Sequence, residues 1–119
     1  VAFSILIIDD SPISRMMLAK CLPKGDYQLR QAGGGAQGLK MYGEQKADLV
    51  FLDLTMPEMD GFETLARLME ADPQAKVVVV SADIQSKARE KVLGLGALDF
   101  VPKPPTAQKI NDIFKSVGL

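Results

Sequence analysis

Two stretches of this chain, FSILII at residues 3–8 and VVVV at residues 77–80, run almost without a polar break. A strand with one wet face alternates apolar and polar residues, whereas a continuous apolar run marks a strand covered on both faces. Helical periodicity lies between the runs, so helices are the covers. This alternation constrains the fold more than any other feature.

Ser11-Pro12 reads as a helix N-cap followed by proline at the first helical position. Ile13, Met16, Met17 and Cys21 then recur at helical spacing until Pro23 and Gly25 close the segment. Tyr27 to Ala32 is a weaker strand, followed by a glycine-rich turn and a short helix around Ala36 to Tyr42. Asp48 to Asp53 (DLVFLD) is a third strand and TMPEMDG a loop. Phe62 to Ala71 is a helix with Phe62, Leu65 and Met69 on one face, broken by Asp72-Pro73. After the valine run comes a helix from about Ser86 to Leu95, with Gly96 suited to its C-terminal turn. Leu98 to Val101 is a last short strand, and Thr106 caps a closing helix that reaches about Val117. Five uninterrupted βα units predict an α/β fold: a five-stranded parallel sheet with helices on both faces, flavodoxin-like (βα)5 in arrangement.

Composition narrows the function classes. A length of 119 residues suits one domain spanning residues 1–119. Fourteen basic and fifteen acidic residues give a net charge of -1, which supplies no general field toward nucleic acid or an anionic membrane. No apolar run approaches the roughly 20 residues of a membrane helix, and FSILII lacks the basic flank of a signal peptide. Cys21 is the only cysteine, which excludes an intramolecular disulfide and a thiolate metal cluster. Its apolar helical setting reads as a small buried side chain, and a reducing cytoplasm is the natural compartment. The absence of histidine excludes histidine-dependent triads, histidine metal sites and a phosphohistidine-carrier role.

In open parallel sheets the ligand crevice lies beyond the carboxyl ends of the strands. The first strand ends in Asp9 and Asp10, the third in Asp53, the fourth in Ser81, and Lys103 stands just past the fifth. Adjacent carboxylates about 4 Å apart repel by roughly 4 kcal/mol at an effective dielectric of about 20, so something must offset them. Three carboxylates in one small pocket suit a hard divalent cation with oxygen ligands, and Mg²⁺, which keeps waters and shares ligands with phosphate, is the expected ion.

IDDS, FLDLTMPEMDGFE, VVVSAD and DFVPKP, taken together and in this order, resemble the receiver domain of two-component response regulators, over essentially the whole chain. The format is similar to that of stand-alone, chemotaxis-type single-domain regulators. The resemblance implies that Asp53 is the phosphoacceptor, that Asp10, Asp53 and the Thr55 carbonyl bind Mg²⁺ directly, and that Asp9 does so through a water. It implies that Lys103 pairs with a phosphoryl oxygen, that Lys103-Pro104 is a cis bond, and that Ser81 and Phe100 are the switch pair. Thr55 and Asp83 take the positions that tune dephosphorylation. The implied partners are a sensor histidine kinase or phosphotransfer protein as donor, and a downstream protein bound through the fourth helix, fifth strand and fifth helix.

Two other readings compete. GGGAQG at residues 33–38 fits G-x-G-x-x-G after a strand, with Asp53 about 20 residues on, as in a nucleotide-binding domain. That reading follows the second strand rather than the first and leaves Asp9, Asp10, Ser81 and Lys103 without a task; the glycines then read as a permissive, mobile turn. A haloacid-dehalogenase-type phosphatase also uses a strand-end Asp, Mg²⁺, a hydroxyl and a lysine. It needs Asp-x-Asp where this chain has Asp53-Leu54-Thr55.

Overall fold

A computed structural model describes residues 3–119. Its elements alternate throughout: β1 (Phe3–Ile8), α1 (Pro12–Cys21), β2 (Tyr27–Ala32), α2 (Gly35–Glu44), β3 (Leu49–Leu52), α3 (Gly61–Ala71), β4 (Val77–Ser81), α4 (Ser86–Gly94), β5 (Asp99–Pro102) and α5 (Ala107–Ser116). The strands pair in parallel in the order β2-β1-β3-β4-β5. Ile5 of β1 stands opposite Leu29 of β2 and Leu49 of β3. The strand order therefore reverses around β1, and the loops leaving β1 and β3 border a crevice at the carboxyl edge.

Alternate strand residues point to opposite faces, so the apolar runs build two cores. Leu6, Ile8, Val50, Leu52, Val77 and Val79 pack with Leu65 and Leu68 of α3 and Val92 of α4. Ile5, Ile7, Phe51 and Val78 pack on the other face with Leu18 of α1 and Ile110, Ile113 and Phe114 of α5. Side-chain caps set three helix starts. Ser11 Oγ accepts from the Ser14 amide (3.2 Å), Asp60 Oδ1 from the Glu63 amide (2.9 Å) and Thr106 Oγ1 from the Lys109 amide (3.2 Å).

Several boundaries and faces differ from the sequence expectation. β3 is confined to Leu49–Leu52, α2 begins one residue earlier at Gly35, α4 stops at Gly94, and β5 starts at Asp99, leaving Leu98 half exposed. The Ile13, Met16 and Met17 stripe of α1 faces solvent, with 66%, 50% and 44% exposure. The helix packs instead through Leu18, with Leu22 just beyond it, because that pair, also four residues apart, is the one turned to Ile5 and Ile7. Cys21, expected to be buried, is half-buried at the end of α1, and its thiol donates to the Pro105 carbonyl at 3.4 Å.

Of the glycines in residues 33–38, Gly35 and Gly38 are packing residues rather than parts of a permissive turn, while Gly34 has open space around it. Positive φ among the described glycines occurs only at Gly96 and Gly118. A Cβ on Gly38 would sit 2.5 Å from Ile8 Cδ1, and one on Gly35 would collide with Thr64 Oγ1. Their missing side chains let α2 lie flat against β1 and α3. The Gly33 amide is already bonded to Gln37 Oε1 at 2.8 Å.

Candidate functional site

β1 and β3 deliver their acids side by side because their last residues are in register. The Asp53 amide donates to the Ile8 carbonyl (2.9 Å), and the Asp9 amide donates to the Ala32 carbonyl of β2 (3.1 Å). Carboxylate oxygens of Asp9, Asp10 and Asp53 consequently lie within 4.8 Å of one another. Asp9 and Asp53 are buried, each 5% exposed, while Asp10 opens to solvent.

Lys103 closes the acidic cup from the far edge of the sheet. Its Nζ lies 3.0 Å from Asp9 Oδ2 and 3.1 Å from Asp53 Oδ1, and donates to Ser14 Oγ at 3.3 Å. The Lys103 amide bonds the Ser81 carbonyl at 2.8 Å, and the Lys103-Pro104 peptide is cis. Asp9 Oδ1 accepts from the Ser11 amide at 2.9 Å.

The charges do not balance. Burial, then the nearby Asp9 and Asp10 charges, push the Asp53 carboxyl above its ordinary value although Lys103 pulls it down. Burial alone would lower the Lys103 ammonium; its bond to Asp9 and the charges of Asp53 and Asp9 outweigh burial and leave it raised. Three carboxylates facing one ammonium hold surplus negative charge. A divalent cation with oxygen preference fits that donor set, and the solvent-facing Asp10 side leaves room for its waters.

Ser81 is fully buried at the end of β4, and its Oγ accepts from the Asp83 amide at 3.0 Å. It does not cap α4, whose N-cap is Gln85 with no side-chain bond. Phe100 of β5 points inward, 5% exposed, in the core shared with α3 and α4. Thr55 and Asp83 are exposed on the loops after β3 and β4. A cleft of about 300 Å³ runs beside Asp53 and Lys103, walled by Ser14, Met17, Leu18 and Pro104.

Three residues that the sequence did not single out for the site belong to its frame. Ser14 supports Lys103, and Arg15 Nη1 donates to the Asp9 carbonyl at 2.6 Å. Gly61 begins α3 against the backbone that carries Asp53: a Cβ there would strike the Asp53 carbonyl and come within 2.5 Å of Leu54 Cα. For Ser14 and Arg15 a signal existed, since both sit within one turn of a helix N-cap that follows two strand-end acids. For Gly61 there was none beyond the Asp-Gly pair itself.

Residues 5–115 match the response regulator receiver domain family. The chemotaxis protein CheY of Listeria monocytogenes is 40% identical over 115 residues, covering 96% of this chain and 97% of that protein. Among solved structures, a chain of the CheX-CheY-BeF₃-Mg²⁺ complex from Borrelia burgdorferi superposes with a TM-score of 0.91 at 31% identity, covering 98% of this chain and 90% of that one. Chemotaxis protein CheY4 of Vibrio cholerae shares the fold, with a TM-score of 0.88 at 20% identity, covering 98% and 99% of the two chains.

Proposed function

The chain belongs to the response regulator receiver family, and from that premise we propose that residues 1–119 form one receiver domain whose phosphoacceptor is Asp53. The observation that carries this reading is the meeting of Asp9, Asp10 and Asp53 within 4.8 Å, with the Lys103 ammonium 3.1 Å from Asp53. Asp53 is buried, lines the cleft and lies within reach of the Lys103 ammonium, which suits a carboxylate that becomes an acyl phosphate.

The donor is a phosphohistidine on a sensor histidine kinase or phosphotransfer protein. An Asp53 oxygen attacks phosphorus, the P–N bond breaks, and the electron pair leaves with the imidazole. Lys103 exchanges one carboxylate partner for a phosphoryl oxygen and holds the negative charge there. Asp10, Asp53 and the Thr55 carbonyl would hold Mg²⁺, and Asp9 would act through a water. When bound, the ion neutralises and aligns the phosphoryl oxygens. The domain promotes both its own phosphorylation and slow hydrolysis of the product, with Thr55 and Asp83 at the solvent entrance tuning the second.

Ser81 is the switch hydroxyl. Turning its Oγ from the Asp83 amide to a phosphoryl oxygen releases the loop before α4. Phe100 answers by packing, since it lacks a hydroxyl. The readout surface is α4, β5 and α5, where Leu93 of α4 and Leu98, just before β5, are already exposed and available to a downstream protein. The compartment that fits is the cytoplasm, and the process is of the chemotaxis type.

Incubation with Mg²⁺ and a phosphohistidine donor tests the reading. The wild-type chain should acquire acid-labile phosphate on Asp53, and Asp53→Asn should acquire none. Label retained in Asp53→Asn would reject the assignment.

A further inference from the structure

We propose that Arg15, braced by Gln31, is a positioning residue for the metal site, acting through the Asp9–Asp10 peptide. The inference rests on the Mg²⁺ reading above and adds a residue to it. The Arg15 guanidinium bonds in two directions: Nη1 donates to the Asp9 carbonyl at 2.6 Å, and Nε donates to Gln31 Oε1 at 3.1 Å. Gln31 lies on β2 in register with Ile7 of β1, two residues before Asp9. A planar fork held at both ends has one orientation, which a lysine cannot reproduce.

The three acids differ in how they are held. Asp9 is fixed by the Ser11 amide and by Lys103, and Asp53 by Lys103. Asp10 is exposed, and among the described residues its carboxylate has neither a hydrogen bond nor an ion pair, so its own backbone aims it. The Asp9 carbonyl belongs to the peptide plane that joins Asp9 to Asp10. A short, charge-assisted bond to that oxygen fixes the plane and with it the direction in which the Asp10 side chain departs. The solvent-facing ligand is thereby preorganised by a residue that bonds the main chain of the site and none of its three carboxylates.

Charge and clamp predict opposite signs. A guanidinium beside a cation site repels the cation, so as a mere neighbouring charge its removal would tighten Mg²⁺ binding. As a clamp, its removal weakens binding, by roughly tenfold or more on the scale of outer-sphere partners. Calorimetric Mg²⁺ titration of the wild-type chain, Arg15→Met, Arg15→Lys and Gln31→Leu separates the two. The expected result is loss of affinity in both Arg15 variants, a smaller loss in Gln31→Leu, and melting curves in EDTA that barely move. At saturating Mg²⁺, Arg15→Met should still reach the wild-type extent of phosphorylation, with only the half-saturating Mg²⁺ concentration raised. Unchanged or tighter binding in Arg15→Met, or wild-type binding in Arg15→Lys, would overturn the clamp while Asp10→Ala still loses the metal. A wild-type chain that takes up no Mg²⁺, or binding indifferent to Asp10→Ala, would instead sink the metal reading and the clamp with it.

Discussion

Asp53 is costly to keep ionised where it stands. Its raised carboxyl pKa means that the folded state binds its proton more readily than the unfolded state, so stability falls as pH rises through the window above the unfolded carboxylate value. At pH 7 in EDTA the ionised side chain therefore works against folding. Asp53→Asn should melt higher than the wild-type chain there, with the gap closing as pH drops toward 4; thermal melts across that range check it. A lower-melting Asn variant at pH 7 would mean that the Lys103 pair outweighs burial. Gly61 acts at the same scale through space rather than charge. Gly61→Ala must displace the Asp53 carbonyl and the Leu54 Cα, neither of which is the end of a flexible side chain. Urea denaturation should show a loss of about 3 kcal/mol, at the upper end of overpacking costs, and phosphorylation of Asp53 should fall with it.

Among the elements, α2 shows how close an approach the fold requires. Gly38→Ala puts a methyl group against Ile8 Cδ1, which should cost about 2 kcal/mol. Ile8→Val removes that δ-methyl, so the double variant should recover part of the loss, and a double-mutant cycle measures the coupling. The same contact explains what the sequence could disclose. β1, β3 and β4 were legible because buried strands write continuous apolar runs. The acids and Lys103 were legible because a parallel sheet sends every strand end to one edge. Gly35 and Gly38 looked like a loop or a phosphate cradle because their reason lies in Thr64 and Ile8, distant in sequence. α1 misled in the same way. Its period marks apolar faces, but only the sheet decides that Leu18 is covered while Ile13, Met16 and Met17 stay in water. Arg15 was passed over although it sits one turn into the helix after the strand-end acids, because its bond to the site goes to a main-chain carbonyl, which no side-chain pattern records.

For the molecule as a whole, the surplus negative charge at one edge should make stability depend on a divalent cation. Mg²⁺ at about a hundred times its dissociation constant should add about 2.7 kcal/mol, which for a domain of this size raises Tm by roughly 10 °C. Asp10→Ala should lose most of that rise without a comparable drop in EDTA; differential scanning calorimetry at increasing Mg²⁺ checks both. The two groups that lock the site together, Asp9 and Lys103, stand 94 positions apart. During translation Asp9 leaves the ribosome early and Lys103 only after four further strands. A growing polypeptide therefore carries Asp9 without its ammonium partner, and the cup can close only once residue 103 is free of the ribosome.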